Sequence, residues 1–409
     1  MSSFAFRGVW GGTGNAGNTR ESVSAYVGWL ADLGFNAIFL GLKQGDGTIC
    51  WPSSRFPEAV DTRYQSFDLP QVFLEECEKR NVQAHAWFID YYESENGAAY
   101  RLHPEWAALN AHGLPTSEET LRGKRYSSVW MCPARTPGYT DEWLVPMYEE
   151  FASRYPFTSL HHDYIRYPGD LAPDQYCFCD YCVENLPKWA GYVHEVFPDE
   201  TFLHELYDRP YLESHWEQSP RVLPPQWDRL PRSEKARFLL EGAYFGMGRT
   251  DLDYFFYRYR IEAINRFAKL SYDAVKNQNP NIKLSGAYFK NPIHSGRFIG
   301  QDWREFSAYS EICIPMDYRD HYPGTMDQYC ELLKETISSQ KVWSQGYEQY
   351  YPGFALWPLF KEETEPPYPA EKVRQTLIAI QESNVGGYVV FCDGDLKKFD
   401  VESTFLEFN

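Results

Sequence analysis

Short apolar runs recur along this chain, and most of them end in a polar or aromatic cluster. They lie at 4–10, 35–42, 82–89, 157–165, 283–289, 311–317, 341–347 and 387–392. Each is long enough for a strand and too short for an ordinary helix. Continuous apolar runs of this kind suit strands buried on both faces of a parallel sheet. Between them, 22–32, 69–80, 141–155, 251–277, 301–309, 325–339 and 369–383 read as helices. In the first of these, Val23, Tyr26, Val27 and Leu30 share one face, and Gly34 closes the element. Alternating strands and helices imply a parallel α/β sheet. Eight such units imply closure into a (β/α)8 TIM barrel. An open doubly wound sheet is the alternative, and the lack of a G-x-G-x-x-G after the first strand weakens it.

The whole chain, 1–409, reads as a single barrel domain. The segment 187–250, rich in Trp, Tyr, Pro and charge, is a large insertion after strand 4. It either shapes the cleft or forms a homo-oligomer contact.

In such a barrel the chemistry sits at the C-terminal ends of the strands. Strand two ends at Lys43 and Asp46, and strand three at Asp90 and Glu93. Strand four supplies His161, Asp163 and Arg166; strand six supplies Asp317 and Tyr318. Strand seven supplies Glu348, and strand eight supplies Asp393 and Asp395 in a turn. Strand alternation puts His161 and Asp163 on one face and His162 on the other, under the helices. Carboxylates beside aromatic rings suit glycoside hydrolysis, which pairs an acid with a nucleophile or base. Asp163 is the expected nucleophile or base, Asp317 the general acid and Glu348 its reserve. His161, Arg166, Lys43, Trp87 and Tyr318 are the expected substrate-binding side chains.

Composition sharpens this reading. The aromatic share is 17%, with 13 Trp and 31 Tyr, a surplus that suits a cleft stacking on sugar rings. The net charge of −18 would repel a phosphate backbone, so nucleic acid is not an expected partner. No apolar run reaches the ~18 residues of a membrane span, and no leader-like segment opens the chain, so a cytoplasmic location is expected. Nine cysteines then read as reduced thiols or metal ligands. Cys177, Cys179 and Cys182 form a Cys-x-Cys-x-x-Cys run. Tetrahedral zinc wants a fourth ligand, and Cys132 is the candidate. The expectation is a structural zinc and no organic cofactor.

The segments FRGVWGGTGN, LGFNAIFL, VQAHAWF, HPEW and HHDYIRYP, in this order, resemble the glycosyl-hydrolase-like barrel family known as family 10-like glycosidases. The likeness covers about residues 4–170, and HHDYIRYP is its most specific part. It implies a (β/α)8 barrel acting on carbohydrate, with the strand-four aspartate of the motif at Asp163. Where many members have Asn-Pro after HAWF, this chain has Ile89-Asp90. The spacing of Cys132 to the cysteine run is similar to the zinc cluster of glycoside hydrolase family 42 β-galactosidases. That resemblance implies a structural zinc and does not extend to that family's catalytic glutamates. The expected function is cleavage of a glycosidic bond in an oligosaccharide or glycoside by Asp163 with Asp317 or Glu348. A non-catalytic carbohydrate-binding barrel and a zinc-dependent hydrolase are the readings from other classes.

Overall fold

The structure is a computed structural model that describes residues 4–169, 171, 176–192, 223–224, 226–241, 252–359 and 369–408. Its centre is a ring of parallel strands. β1 (Phe6–Gly11) pairs with β2 (Ala37–Lys43), which pairs with β3 (Gln83–Ile89). β4 (Ser159–Asp163) follows, then β5 (Lys283–Phe289) and β6 (Ile312–Met316). β7 comes in two pieces, Gln349–Tyr350 and Gly353–Ala355, both paired with β6. Its second piece pairs with β8 (Gly387–Phe391), and β8 pairs back onto β1. The ring is therefore closed, and the (β/α)8 barrel is the observed fold.

The helices return the chain outside this ring. They include α1 (Arg20–Asp32), α2 (Leu69–Lys79), α3 (Val145–Arg154), α4 (Asp180–Trp189), α5 (Arg232–Glu241), α6 (Leu252–Gln278), α7 (Met326–Trp343) and α8 (Pro369–Glu382). α1 and α7 start with reciprocal caps, Thr19 with Ser22 and Thr325 with Gln328. Such a cap contributes about 1 kcal/mol by satisfying N–H groups that lack helical partners. No helix among the described residues is long and apolar enough to cross a membrane.

The expected seventh strand is a correction. The run 341–347 is the end of α7 and the turn after it. The true strand lies a few residues later and is interrupted at Tyr351 and Pro352. Proline cannot donate to a sheet ladder, so the strand breaks there into pieces too short to show a period. The helix expected at 301–309 is only the single turn Trp303–Phe306, and a separate short helix, Pro292–Ile299, precedes it. Most of the insertion at 187–250 falls outside the described residues. Its described part, with α4 and α6, buries a second apolar cluster that includes Val183, Trp227, Phe238 and Phe256.

Alternation along each strand fills the barrel. Phe6, Trp10, Ala37, Phe39, Ala287, Ile312, Ile314, Met316 and Val389 form the inner cluster. Gly353 is required here, because a Cβ at that position would stand 2.8 Å from the Trp10 ring. Running through this apolar interior is a line of polar groups. His85 Nδ1 meets Ser159 Oγ at 2.7 Å, and Ser159 meets Ser285 Oγ at 3.0 Å. Ser285 Oγ meets His161 Nδ1 at 2.9 Å, and Trp10 Nε1 donates to His161 Nε2 at 3.1 Å. Burial pushes His161 well below the ordinary histidine range and His85 down to about 3, so both rings are neutral. Their bonds tie β1, β3, β4 and β5 together across the barrel. Ser285→Ala would leave a buried ring nitrogen and a buried hydroxyl each short of a partner. We expect a loss of about 1–3 kcal/mol in urea unfolding; an unchanged midpoint would contradict the bonded line.

Candidate active site

The end of β4 supplies the central carboxylate. All five residues of Ser159–Asp163 are buried. The observed parity is the expected one. His161 and Asp163 face the barrel axis, while His162 faces α3 and α6 through Tyr148 and Ser271. Asp163 is 7% exposed. Its Oδ2 accepts the Trp87 indole N–H at 3.2 Å, and its Oδ1 accepts the Tyr164 backbone N–H at 2.7 Å. Tyr164 takes φ +54°, a left-handed conformation that costs a non-glycine residue about 1 kcal/mol or more and often marks a functional turn. Asp90 N donates to Asp163 O at 2.8 Å, so the ends of β3 and β4 stay joined. Burial raises the Asp163 carboxyl above its ordinary range; the Arg166 charge and the two N–H donors offset part of that rise.

An aromatic collar surrounds this carboxylate. Trp87 meets Phe391 edge-on at 6.1 Å, and Tyr318 stacks on Phe391 at 6.0 Å. Phe289 and Tyr318 each stack with His321. Arg166 lies over the Tyr164 ring at 4.1 Å and the Phe289 ring at 4.9 Å. The structure thus brings Asp163, Arg166, Trp87 and Tyr318 together at one mouth. Phe289 and Phe391 were not anticipated. They end apolar strands and read as core, and only the parity of β5 and β8 could have pointed to them.

The other expected site residues lie elsewhere. His161 sits beneath Asp163, with both ring nitrogens occupied by Trp10 and Ser285. Lys43 is fully buried, donates to Ile89 O at 2.6 Å and pairs with Glu93 Oε1 at 3.4 Å. A register shift between Gly41 and Lys43 accompanies this turn away from the mouth. Asp317 is fully buried under α7. β6 ends with Met316 facing inward, so the next side chain faces outward. Asp317 Oδ1 accepts from Gln340 Nε2 at 2.8 Å and Tyr322 OH at 3.1 Å. Glu348 stands at the opposite end of the barrel, paired at 2.6 Å with Lys283, the first residue of β5. Neither Asp317 nor Glu348 is therefore a mouth carboxylate. Asp90 is also turned outward, held by His162 Nδ1 and Tyr148 OH, each at 2.8 Å. Asp393 is buried and caps the start of the β1 loop through Gly12 N at 3.2 Å and Tyr26 OH at 2.8 Å.

The four cysteines do come together. Cys132, Cys177, Cys179 and Cys182 are all buried, and their sulfurs lie within 4.8 Å of one another. Cys132 Sγ is 3.5 Å from Cys182 Sγ and 3.7 Å from Cys179 Sγ. Zinc–sulfur bonds of about 2.3 Å in a tetrahedron place sulfurs about 3.8 Å apart, so the cage fits such an ion. The group could hold a metal. Cys132 N donates to Trp106 O at 2.7 Å, and Cys182 sits in the first turn of α4. The site therefore joins the long excursion after β3 to the helix that follows β4.

Residues 5–188 match the family model described as Glycosyl hydrolase-like 10. The segments that carried the expected resemblance fall within this span. Glycosyl hydrolase DigH from Escherichia coli (strain K12) is 28% identical over 167 residues, 37% of this chain and 36% of that protein. The matched stretch thus spans about a third of the curated relative. Among solved structures, a β-galactosidase from the Antarctic haloarchaeon Halorubrum lacusprofundi superposes with a TM-score of 0.62 at 13% identity. That match covers 98% of this chain and 58% of the other. Gan42B, a GH42 β-galactosidase, gives a TM-score of 0.61 at 11% identity, covering 100% of this chain and 57% of the other. At such identities the likeness is one of fold.

Asp317 gives a pH prediction. Burial pushes its carboxyl up to about 7 in the folded chain, against about 4 for an exposed aspartate. As pH rises, the unfolded chain ionises first, so stability falls between about pH 4 and about pH 7 and then levels off. Asp317→Asn should remove that fall. Its unfolding free energy relative to the parent should rise between about pH 4 and about pH 7, by an amount on the order of a few kcal/mol. A difference independent of pH would contradict a buried, protonatable Asp317.

Proposed function

We propose that this chain is a glycoside hydrolase in which Asp163 is the catalytic carboxyl. The observation that carries the reading is the inward-facing Asp163 at the C-terminal mouth, inside the collar of Trp87, Tyr318, Phe289 and Phe391. Flat apolar faces suit pyranose rings, and burial that raises a carboxyl above its ordinary range is the shift a general acid needs. This favours the acid role for Asp163 over the nucleophile or base role expected from the sequence, since Asp317 faces outward under α7 and Glu348 stands at the opposite end of the barrel. Trp87 fixes one carboxyl oxygen through its N–H and offers its ring to the sugar. The substrate class is an oligosaccharide or glycoside.

In this reading the cysteine group holds a structural zinc. Four thiolates complete a tetrahedron and leave no position for water or substrate, which disfavours a zinc-dependent hydrolase. All nine cysteines are unpaired with one another as disulfides, which suits a reducing, cytoplasmic setting.

Two experiments test the two halves. On an aryl glycoside selected from a panel, Asp163→Asn should lower kcat by about a hundredfold or more while the sugar still binds. Turnover near the parental rate would end the assignment. A parent that binds sugars and cleaves none would favour the non-catalytic carbohydrate-binding barrel instead. Cys179→Ser should lower bound zinc, measured by plasma mass spectrometry, together with the melting temperature. Full zinc occupancy in that variant would count against the four-cysteine site.

A further inference from the structure

Arg166 is the group at the mouth that nothing in the fold explains. It is 5% exposed, and its Nε and Nη1 have no hydrogen-bond partner among the described residues. Its guanidinium is instead bounded by rings, Tyr164 at 4.1 Å, Phe289 at 4.9 Å and Trp130 at 5.3 Å. Cation–π contacts offset part of the cost of burying the charge, but they leave its N–H donors unused. Asp163 does not use them either. Its two oxygens are taken by Trp87 and the Tyr164 backbone, and it acts on Arg166 through space. A buried guanidinium with idle donors is costly unless a ligand completes it. Its place beside Asp163 and Tyr318 means that the ligand is whatever enters the mouth.

We propose that Arg166 is a carboxylate-binding subsite, so that the sugar bound beside Asp163 carries an acidic group. This rests on the glycosidase reading of the same mouth and adds the substrate class to it. The planar fork of arginine matches a carboxylate in two parallel hydrogen bonds, which a neutral hydroxymethyl group cannot reproduce. The rings of Tyr164, Phe289 and Trp130 crowd the guanidinium and limit its freedom to turn.

The test is equilibrium binding by calorimetry to the full chain, with its metal content unaltered. The probes are methyl α- and β-glucuronides and galacturonides beside the matching methyl glucosides and galactosides. The parent should bind at least one uronide about tenfold or more tighter than its neutral counterpart. Arg166→Met should erase that preference, and Arg166→Lys, which keeps charge without the fork, should retain only part of it. Thermal melts report whether each variant is folded, and the lysine variant serves if the methionine one is not. Equal binding of acidic and neutral sugars, no binding of either, or a preference that survives Arg166→Met would each overturn the proposal. Asp163→Asn separates the two claims, because it should keep the preference while losing turnover. Preference without cleavage in the parent would sink the glycosidase reading and leave the subsite standing. Equal cleavage and binding of neutral glycosides would do the reverse.

Discussion

Closure of a parallel barrel fixes the direction of every side chain in its wall, and the rest of this structure depends on that constraint. Along β4 the alternation sends Ser159, His161 and Asp163 to the axis and His162 to the helices. A slip of one residue would bury the carboxylate under α3 and put His162 at the mouth. The slip is opposed on both faces. Inside, His161 is held by Trp10 and Ser285; outside, His162 is held by Asp90 and Tyr148. Asp163 is thus placed by its neighbours in the strand before its own contacts are counted.

The same constraint explains why so many charged groups near the strand ends are not in the site. Lys43 with Glu93, Asp90 with His162, and Asp317 with Gln340 all lie behind the wall, buried and hydrogen-bonded. Removing one member of such a set strands the other, so these groups lock the ends of β2, β3, β4 and β6 where they stand. Among the described residues the mouth is lined largely by rings, with Asp163 and Arg166 as charged groups on and just after β4. A buried carboxyl beside a buried guanidinium, within aromatic walls, is the arrangement on which the proposed acid and the proposed acidic-sugar subsite both rest.

Much of this was legible in the residues. The recurring apolar runs showed the barrel, HHDYIRYP marked Asp163, and the cysteine spacing named all four members of the cage. What misled was parity at strand ends. Asp317 follows an apolar strand just as Asp163 closes one, but β6 ends one residue earlier, and that residue decides which way the carboxylate points. Glu348 was assigned through a run, KVWSQGY, that looks like a strand and lies on the end of a helix. Tertiary packing overrode local propensity there, and Pro352 split the real strand into pieces with no readable period. Lys43 failed for a third reason: its partner Glu93 lies fifty residues away on the short strand Tyr92–Ser94, which no local pattern could pair with it.

The central claim is that Asp163 is a buried acid that gives its proton to the leaving group. The direct measurement is the carboxyl titration of Asp163, read by carbon-13 NMR as the signal lost in Asp163→Asn, alongside the pH dependence of kcat/KM. The account predicts a pKa above the ordinary aspartate value of about 3.9, coinciding with the alkaline fall of activity. An ordinary pKa, or an alkaline fall that does not follow the Asp163 titration, would contradict it.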